Sequence, residues 1–213
     1  MIVAGVEEAG RGPVIGPMVM AITTIDEKRL FRLTAIGVRD SKLLTPARRR
    51  SLFEEVKNLC EHKIIKISPQ KIDEELSASN SNLNWLEAKT TAKLINALKP
   101  DRVILDCPSN NIEAYKAYVE NRVKSKDIEI IAEHKADVNY VIVGAASILA
   151  KVTRDNEIDK IKEKYDVDFG SGYPSDPKTI AFLEKNYKKY DFFRTSWETW
   201  KSLKRKQDQT RLF

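Results

Sequence analysis

The sequence predicts an α/β protein: a mixed β-sheet flanked by helices, with a small helical C-terminal extension. Two apolar, β-branched runs end on carboxylates, Ile2-Val3-Ala4-Gly5-Val6 before Glu7-Glu8 and Arg102-Val103-Ile104-Leu105 before Asp106, which is the pattern of buried strands that deliver acids to their ends. In the second half strands alternate with helical periodicity after an antiparallel-looking start, which implies a mixed sheet with helices over it. A chain of 213 residues that is 42% hydrophobic can bury a proper core, so one main domain over 1–173 and an appendage over 174–213 are expected.

Taken in order, the first strand runs into Glu7-Glu8-Ala9-Gly10-Arg11-Gly12-Pro13. Neighbouring strand residues face opposite sides, so the two glutamates share a direction only if the strand ends there. The glycines of the following turn permit such an ending and let a ligand approach the backbone N–H groups. Residues 14–25 read as a returning strand. Thr45-Pro46 then opens a helix as N-cap and first helical residue, with Leu52, Phe53, Val56, Leu59 and Cys60 on one face. Residues 63–68 alternate as a strand, 69–76 form a short helix, and Asn84 with Glu87 resembles a capping box opening a helix to Leu98. The Trp85, Ala88, Ala92, Ile95 stripe of that helix reads as core. After the Asp106 strand, Asn110-Asn111-Ile112-Glu113 caps a helix reaching about Val123, 128–132 is a further strand, and a long helix follows with Asp137 at or near its N-cap and Val138, Val141, Ala145, Ile148, Leu149 and Val152 inward. Beyond Pro174, residues 176–187 and 196–206 are helical, and a basic tail follows.

Composition narrows the function classes. A charge of +6 and a pI of 9.1 are compatible with a polyanionic partner, with basic clusters at Arg48-Arg49-Arg50 and between Lys201 and Arg211. The N-terminus lacks signal-peptide character and no apolar stretch reaches membrane-spanning length. Cys60 and Cys107 form no CxxC pair, and His62 and His134 stand apart, which argues against a disulfide framework or zinc and for a reducing, cytoplasmic setting.

The acids placed at strand and helix ends are Glu7, Glu8, Asp106 and Asp137. Clustered carboxylates repel one another unless protons or cations neutralise them. Oxygen-only ligation favours Mg²⁺ or Mn²⁺. Two such ions roughly 3.5–4 Å apart suit in-line displacement at phosphorus. The residues by themselves therefore point to metal-dependent phosphoryl chemistry.

The motifs Glu8-Ala9-Gly10-Arg11-Gly12, Asp40-Ser41-Lys42, Asp106, Lys135-Ala136-Asp137, the run from Gly144 to Asp155, and Gly170-Ser171-Gly172-Tyr173-Pro174 together resemble the type 2 ribonucleases H, in an archaeal-like version. The resemblance covers most of the chain and implies a ribonuclease H-like sheet. It implies endonucleolytic cleavage of RNA in RNA–DNA hybrids and of ribonucleotides embedded in duplex DNA, leaving 5′-phosphate and 3′-hydroxyl ends. By the same resemblance, Glu7, Glu8, Asp106 and Asp137 hold two Mg²⁺ or Mn²⁺ ions in the working complex. Gly10, Arg11 and Gly12 would contact the 2′-hydroxyl, Tyr173 the next sugar, and Lys42 a phosphate; Lys151 is a further candidate phosphate contact. The 2′-hydroxyl is what separates RNA from DNA at a given position. The tail from Gln207 to Phe213 resembles a shortened sliding-clamp-binding motif.

This sequence departs from the family signature, Asp-Glu-Ala-Gly-Arg-Gly, at its first letter, where Glu7 stands. The extra methylene moves a carboxylate by about one C–C bond, and misplacement on that scale can cost on the order of 10²-fold in rate. Two other readings follow: a hybrid-binding protein whose catalysis is weakened by Glu7, and another nuclease of the same fold without the ribose sensors.

Overall fold

The structure is a computed structural model and describes residues 1–38 and 44–210. Strands β1 (Ile2–Ala9), β2 (Met18–Asp26), β3 (Glu61–Ile67), β4 (Arg102–Asp106) and β5 (Glu129–Glu133) form one sheet in the order β3-β2-β1-β4-β5. β1 is antiparallel to β2 and parallel to β4, and β4 is parallel to β5, so the sheet is mixed as expected. The helices are α1 (Leu30–Ala35, after a 3₁₀ turn at Glu27–Arg29), α2 (Pro46–Leu59), α3 (Pro69–Ser77), α4 (Leu83–Leu98), α5 (Ile112–Glu120), α6 (Ala136–Asn139), α7 (Val141–Tyr165), α8 (Pro177–Asn186) and α9 (Glu198–Thr210).

Local chemistry sets many of these boundaries. Thr45, Ser68 and Asp176 each accept a backbone N–H in the first turn of α2, α3 and α8, and each of those helices has proline in its first turn. Asn111 does the same for α5, accepting from the Ala114 amide at 3.0 Å. Each such cap contributes about 1 kcal/mol.

Several boundaries differ from expectation. The returning strand starts at Met18 rather than residue 14, because Gly16 sits at φ +83° and turns the chain. Pro17, which follows it, has no N–H for a ladder. Asn84 lies inside the first turn of α4, which begins at Leu83. The long helix expected from Asp137 is instead two helices, with Tyr140 extended at φ −126° and ψ 116° between them.

The chain divides into two compact units interleaved in sequence. The first comprises Met1–Ala9, Val19–Lys66 and Asn84–Thr153. It holds the sheet, whose core packs Val3, Ala21, Ile25 and Ile104 against Ile142, Val143, Ala145, Ile148 and Leu149 of α7. Gly5 makes this possible: a Cβ there would lie 2.5 Å from the backbone of Ile142 and Val143, so the helix start rests directly on the strand. The buried Thr23 hydroxyl donates to the Ile142 carbonyl at 2.9 Å and ties the same helix start to β2.

The second unit comprises Gly10–Met18, Ile67–Leu83 and Arg154–Phe213, so residues 174–213 fall within it beside segments from much earlier in the chain. Its core is aromatic: Phe169, Phe182, Tyr190, Phe192 and Phe193 pack with Val14, Ile15, Ile158 and Leu183. Ile15 bridges Phe193 in antiparallel fashion.

Candidate active site

Glu7 is carried by the central strand β1 and is only 6% exposed. β1 keeps its ladder with β2 through Ala9↔Val19, so it does not end at the glutamates. Glu7 and Glu8 therefore obey strand alternation, and only Glu7 joins the acidic cluster. Asp106 is the last residue of β4, and its Oδ1 accepts the Ala136 amide at 3.0 Å, which seats the start of α6. Asp137 lies in the first turn of α6, near the helix start as expected, while the N-cap position itself is Lys135, whose left-handed backbone (φ 59°) turns the chain. One ligand oxygen from each of Glu7, Asp106 and Asp137 lies within 4.8 Å of the others.

The electrostatics of this cluster are strained without a cation. Burial, then the charges of Glu8, Asp106 and Asp137, and a hydrogen bond with Asp106 hold the Glu7 carboxyl well above the usual carboxylate range. Its Oε2 is buried without a hydrogen-bond partner among the described residues. An oxygen-only donor set around an unsatisfied carboxylate oxygen fits a hard divalent cation such as Mg²⁺ or Mn²⁺. Glu8 is half-buried beside this cluster; its charge also reaches Tyr115, whose phenol burial pushes far up.

The turn after β1 belongs to the second unit. Gly10 has φ +77°, and a Cβ on it would meet the Pro17 carbonyl at 2.9 Å and Arg154 Cγ at 3.1 Å, so only glycine fits. Gly12 is exposed and faces Tyr173: a Cβ there would lie 3.6 Å from the tyrosine ring. Tyr173 is 38% exposed, with the Arg154 guanidinium 5.4 Å from its ring centre. Its loop is built rigidly. Asp176 accepts the Ser171 amide at 2.7 Å, and the Thr179 hydroxyl accepts from the Gly172 amide and donates to the Phe169 carbonyl.

Thus Gly10, Arg11, Gly12 and Tyr173 come together in the second unit, and Glu7, Asp106 and Asp137 in the first. Asp40, Ser41 and Lys42 lie outside the described residues. Lys151 of α7 donates to the Ser147 hydroxyl at 3.4 Å.

The sequence profile of ribonuclease HII matches residues 4–200. Ribonuclease HII of Pyrococcus furiosus is 44% identical over 223 residues, which covers 100% of this chain and 97% of that one. The chain belongs to the ribonuclease HII family. Members of this family are metal-dependent hydrolases of phosphodiester bonds, in keeping with the carboxylate cluster. Among solved structures, the ribonuclease H2 of Pyrococcus horikoshii is 42% identical with a TM-score of 0.89, covering 98% of this chain and 100% of that one. The Archaeoglobus fulgidus ribonuclease HII, solved in complex with PCNA, is 38% identical with a TM-score of 0.85, over 93% and 96% of the two chains.

One structural feature escapes sequence reading: the buried Arg194 and the neighbouring Trp197 bind the backbone of the Gly10–Gly12 turn. Nothing in an Arg-Thr-Ser-Trp string announces such a partner about 180 residues away.

Proposed function

We propose that this ribonuclease HII-family chain cleaves the RNA strand of RNA–DNA hybrids, and duplex DNA at embedded ribonucleotides, to give 5′-phosphate and 3′-hydroxyl ends. The observation that carries the reading is the convergence of Glu7, Asp106 and Asp137 to within 4.8 Å. Glu7, Asp106 and Asp137, with Glu8 beside them, would hold divalent Mg²⁺ or Mn²⁺. When bound, the ions supply activation of water and neutralisation of charge on the leaving oxygen. The protein's own part is to present the carboxylates preorganised: Asp106 is fixed by the Ala136 amide and Glu7 is walled from water. In the second unit, the Gly10-Arg11-Gly12 turn reads the 2′-hydroxyl, and the exposed face of Tyr173 packs on the adjoining sugar. Lys42 contacts a phosphate. Glu7, despite its longer side chain, reaches Asp106 and Asp137, which favours an enzyme over a binding-only protein.

The decisive experiment is cleavage of duplex DNA carrying one ribonucleotide, with Mg²⁺, Mn²⁺ or chelator. Cutting at the ribonucleotide that needs metal is expected, and Asp106→Asn or Asp137→Asn should abolish it while leaving the circular-dichroism melt intact. Equal cutting of an all-DNA duplex, or full activity in chelator, would overturn the assignment. We further propose that the segment from Gln207 to Phe213 docks on a PCNA-like clamp, as the relative solved with PCNA suggests; the backbone is helical through Thr210, and Arg211 to Phe213 lie outside the described residues.

A further inference from the structure

The turn proposed to read the ribose is held by its carbonyls, and one arginine takes two of them together with the carbonyl of Gly16. Arg194 is fully buried, and its guanidinium spreads over the turn like a three-pronged clip. Nη2 donates to the Gly10 carbonyl at 2.6 Å, Nη1 to Arg11 at 2.9 Å, and Nε to Gly16 at 2.9 Å. The Trp197 indole N–H donates to the Gly12 carbonyl at 3.0 Å, and its ring lies 4.7 Å from the Arg194 guanidinium. Every carbonyl of Gly10-Arg11-Gly12 is thereby bound to a side chain of one short segment.

That segment is itself tethered, at its start by backbone bonds and in its middle by a carboxylate. The Gly16 amide donates to the Phe192 carbonyl and the Arg194 amide to the Val14 carbonyl, at 2.9 and 2.8 Å. Between Arg194 and Trp197, Asp73 of α3 accepts four hydrogen bonds, from the amide and hydroxyl of Thr195 at 2.7 Å each, and from the amide and hydroxyl of Ser196 at 3.0 and 2.5 Å. A carboxylate with four donors fixes the two residues that separate Arg194 from Trp197, and so fixes the spacing of the two side chains.

We propose that Arg194 and Trp197, spaced by Asp73, are positioning residues that set ribose selectivity by locking the carbonyl side of the Gly10–Gly12 turn. The physical reason is the coupling within a peptide plane: pinning a carbonyl fixes the direction of the next amide. Carbonyls held at 10, 11 and 12 orient the amides of residues 11, 12 and 13 through planar bonds, except at Pro13, which has none. Recognition of a single hydroxyl depends on such orientation within a few tenths of an ångström. None of the three residues needs to touch nucleic acid. This inference rests on the proposal that the turn reads the 2′-hydroxyl.

The test uses the full chain in chelator, so that binding is read without cleavage. Fluorescence anisotropy measures Kd for two duplexes, all-DNA and the same duplex with one ribonucleotide, and the selectivity is their ratio. Trp197→Phe keeps an aromatic, though smaller, ring and removes the indole N–H, and Asp73→Asn keeps the size while weakening the tether. Each should lower the selectivity several-fold, about what one disturbed hydrogen bond is worth, while all-DNA affinity and the melting temperature stay near the parent's. Arg194→Lys should lower it more, since an ammonium cannot span three carbonyls. Gly10→Ala separates the two ideas. If Gly10→Ala leaves selectivity unchanged, the turn does not read the ribose. If Gly10→Ala abolishes selectivity while Trp197→Phe and Asp73→Asn preserve it, the positioning role is wrong. A loss of affinity for both duplexes in step with a fallen melting temperature likewise makes these residues merely structural.

Discussion

Removing the metal, or the charge of Glu7, should change the stability of the first unit in a way that follows from the buried cluster. Three carboxylate oxygens within 4.8 Å, with Glu7 buried, favour a state in which Glu7 keeps its proton when no cation is present. The folded pKa lies above the unfolded one, so this proton's contribution is complete below the ordinary glutamate range. It is lost as pH rises through the raised folded value. The metal-free protein should therefore lose stability toward alkaline pH. A divalent ion displaces the proton and becomes more effective over the same range. At a concentration one hundred times its Kd, it adds about 2.7 kcal/mol. For a chain of this length each kcal/mol moves the melting temperature by about 2–4 °C, so a rise of about 5–10 °C is expected. Scanning fluorimetry at pH 6, 7 and 8, with EDTA or Mn²⁺, reads it directly. The shift should grow with pH in the parent. In Glu7→Gln, which has no proton to release, the metal-free melt should sit above the parent's at pH 8, and most of the shift should vanish. A parent indifferent to Mn²⁺ at every pH, or a Glu7→Gln variant with the full shift, refutes this account.

Glu7→Asp should raise turnover on a single-ribonucleotide duplex, up to on the order of 10²-fold, with little change in KM. It should also narrow an activity gap in favour of Mn²⁺, because Mg²⁺ demands near-ideal octahedral geometry. A slower variant with both metals would mean that the site is built around glutamate. Tyr173→Ala should weaken cleavage at an embedded ribonucleotide without lowering the melting temperature, since the ring is 38% exposed and its loop is held by Asp176 and Thr179. Gly5→Ala should destabilise the protein by about 1–3 kcal/mol in urea titration, as its Cβ would lie 2.5 Å from the backbone of α7. Cys60, whose thiol burial pushes up to about 12, should resist alkylation at pH 8 until the protein unfolds; rapid labelling of the native chain would contradict its burial.

Local chemistry was legible in the chain itself. Thr45-Pro46, Ser68-Pro69 and Asp176-Pro177 announce helix starts because a cap and a proline act within one turn, and Asn111 does so by its cap alone. The strand ending on Asp106 and the mixed α/β class follow from periodicity and β-branched runs. The acids could be named as ligand candidates, but how they converge is a matter of packing. Glu8 stands beside the trio, with its charge still acting on Glu7, because β2 keeps pairing with β1 as far as Ala9, a constraint imposed by another strand. Asp137 enters it from a one-turn helix, because Tyr140 breaks the run that helical periodicity joins. The grip of Arg194 on Gly10, Arg11 and Gly16 spans 178 to 184 residues, and no local propensity encodes such a bond. Periodicity and capping report on interactions within a turn or a strand. The carbonyl clip and the carboxylate cluster are made of contacts between residues that only the folded chain brings together.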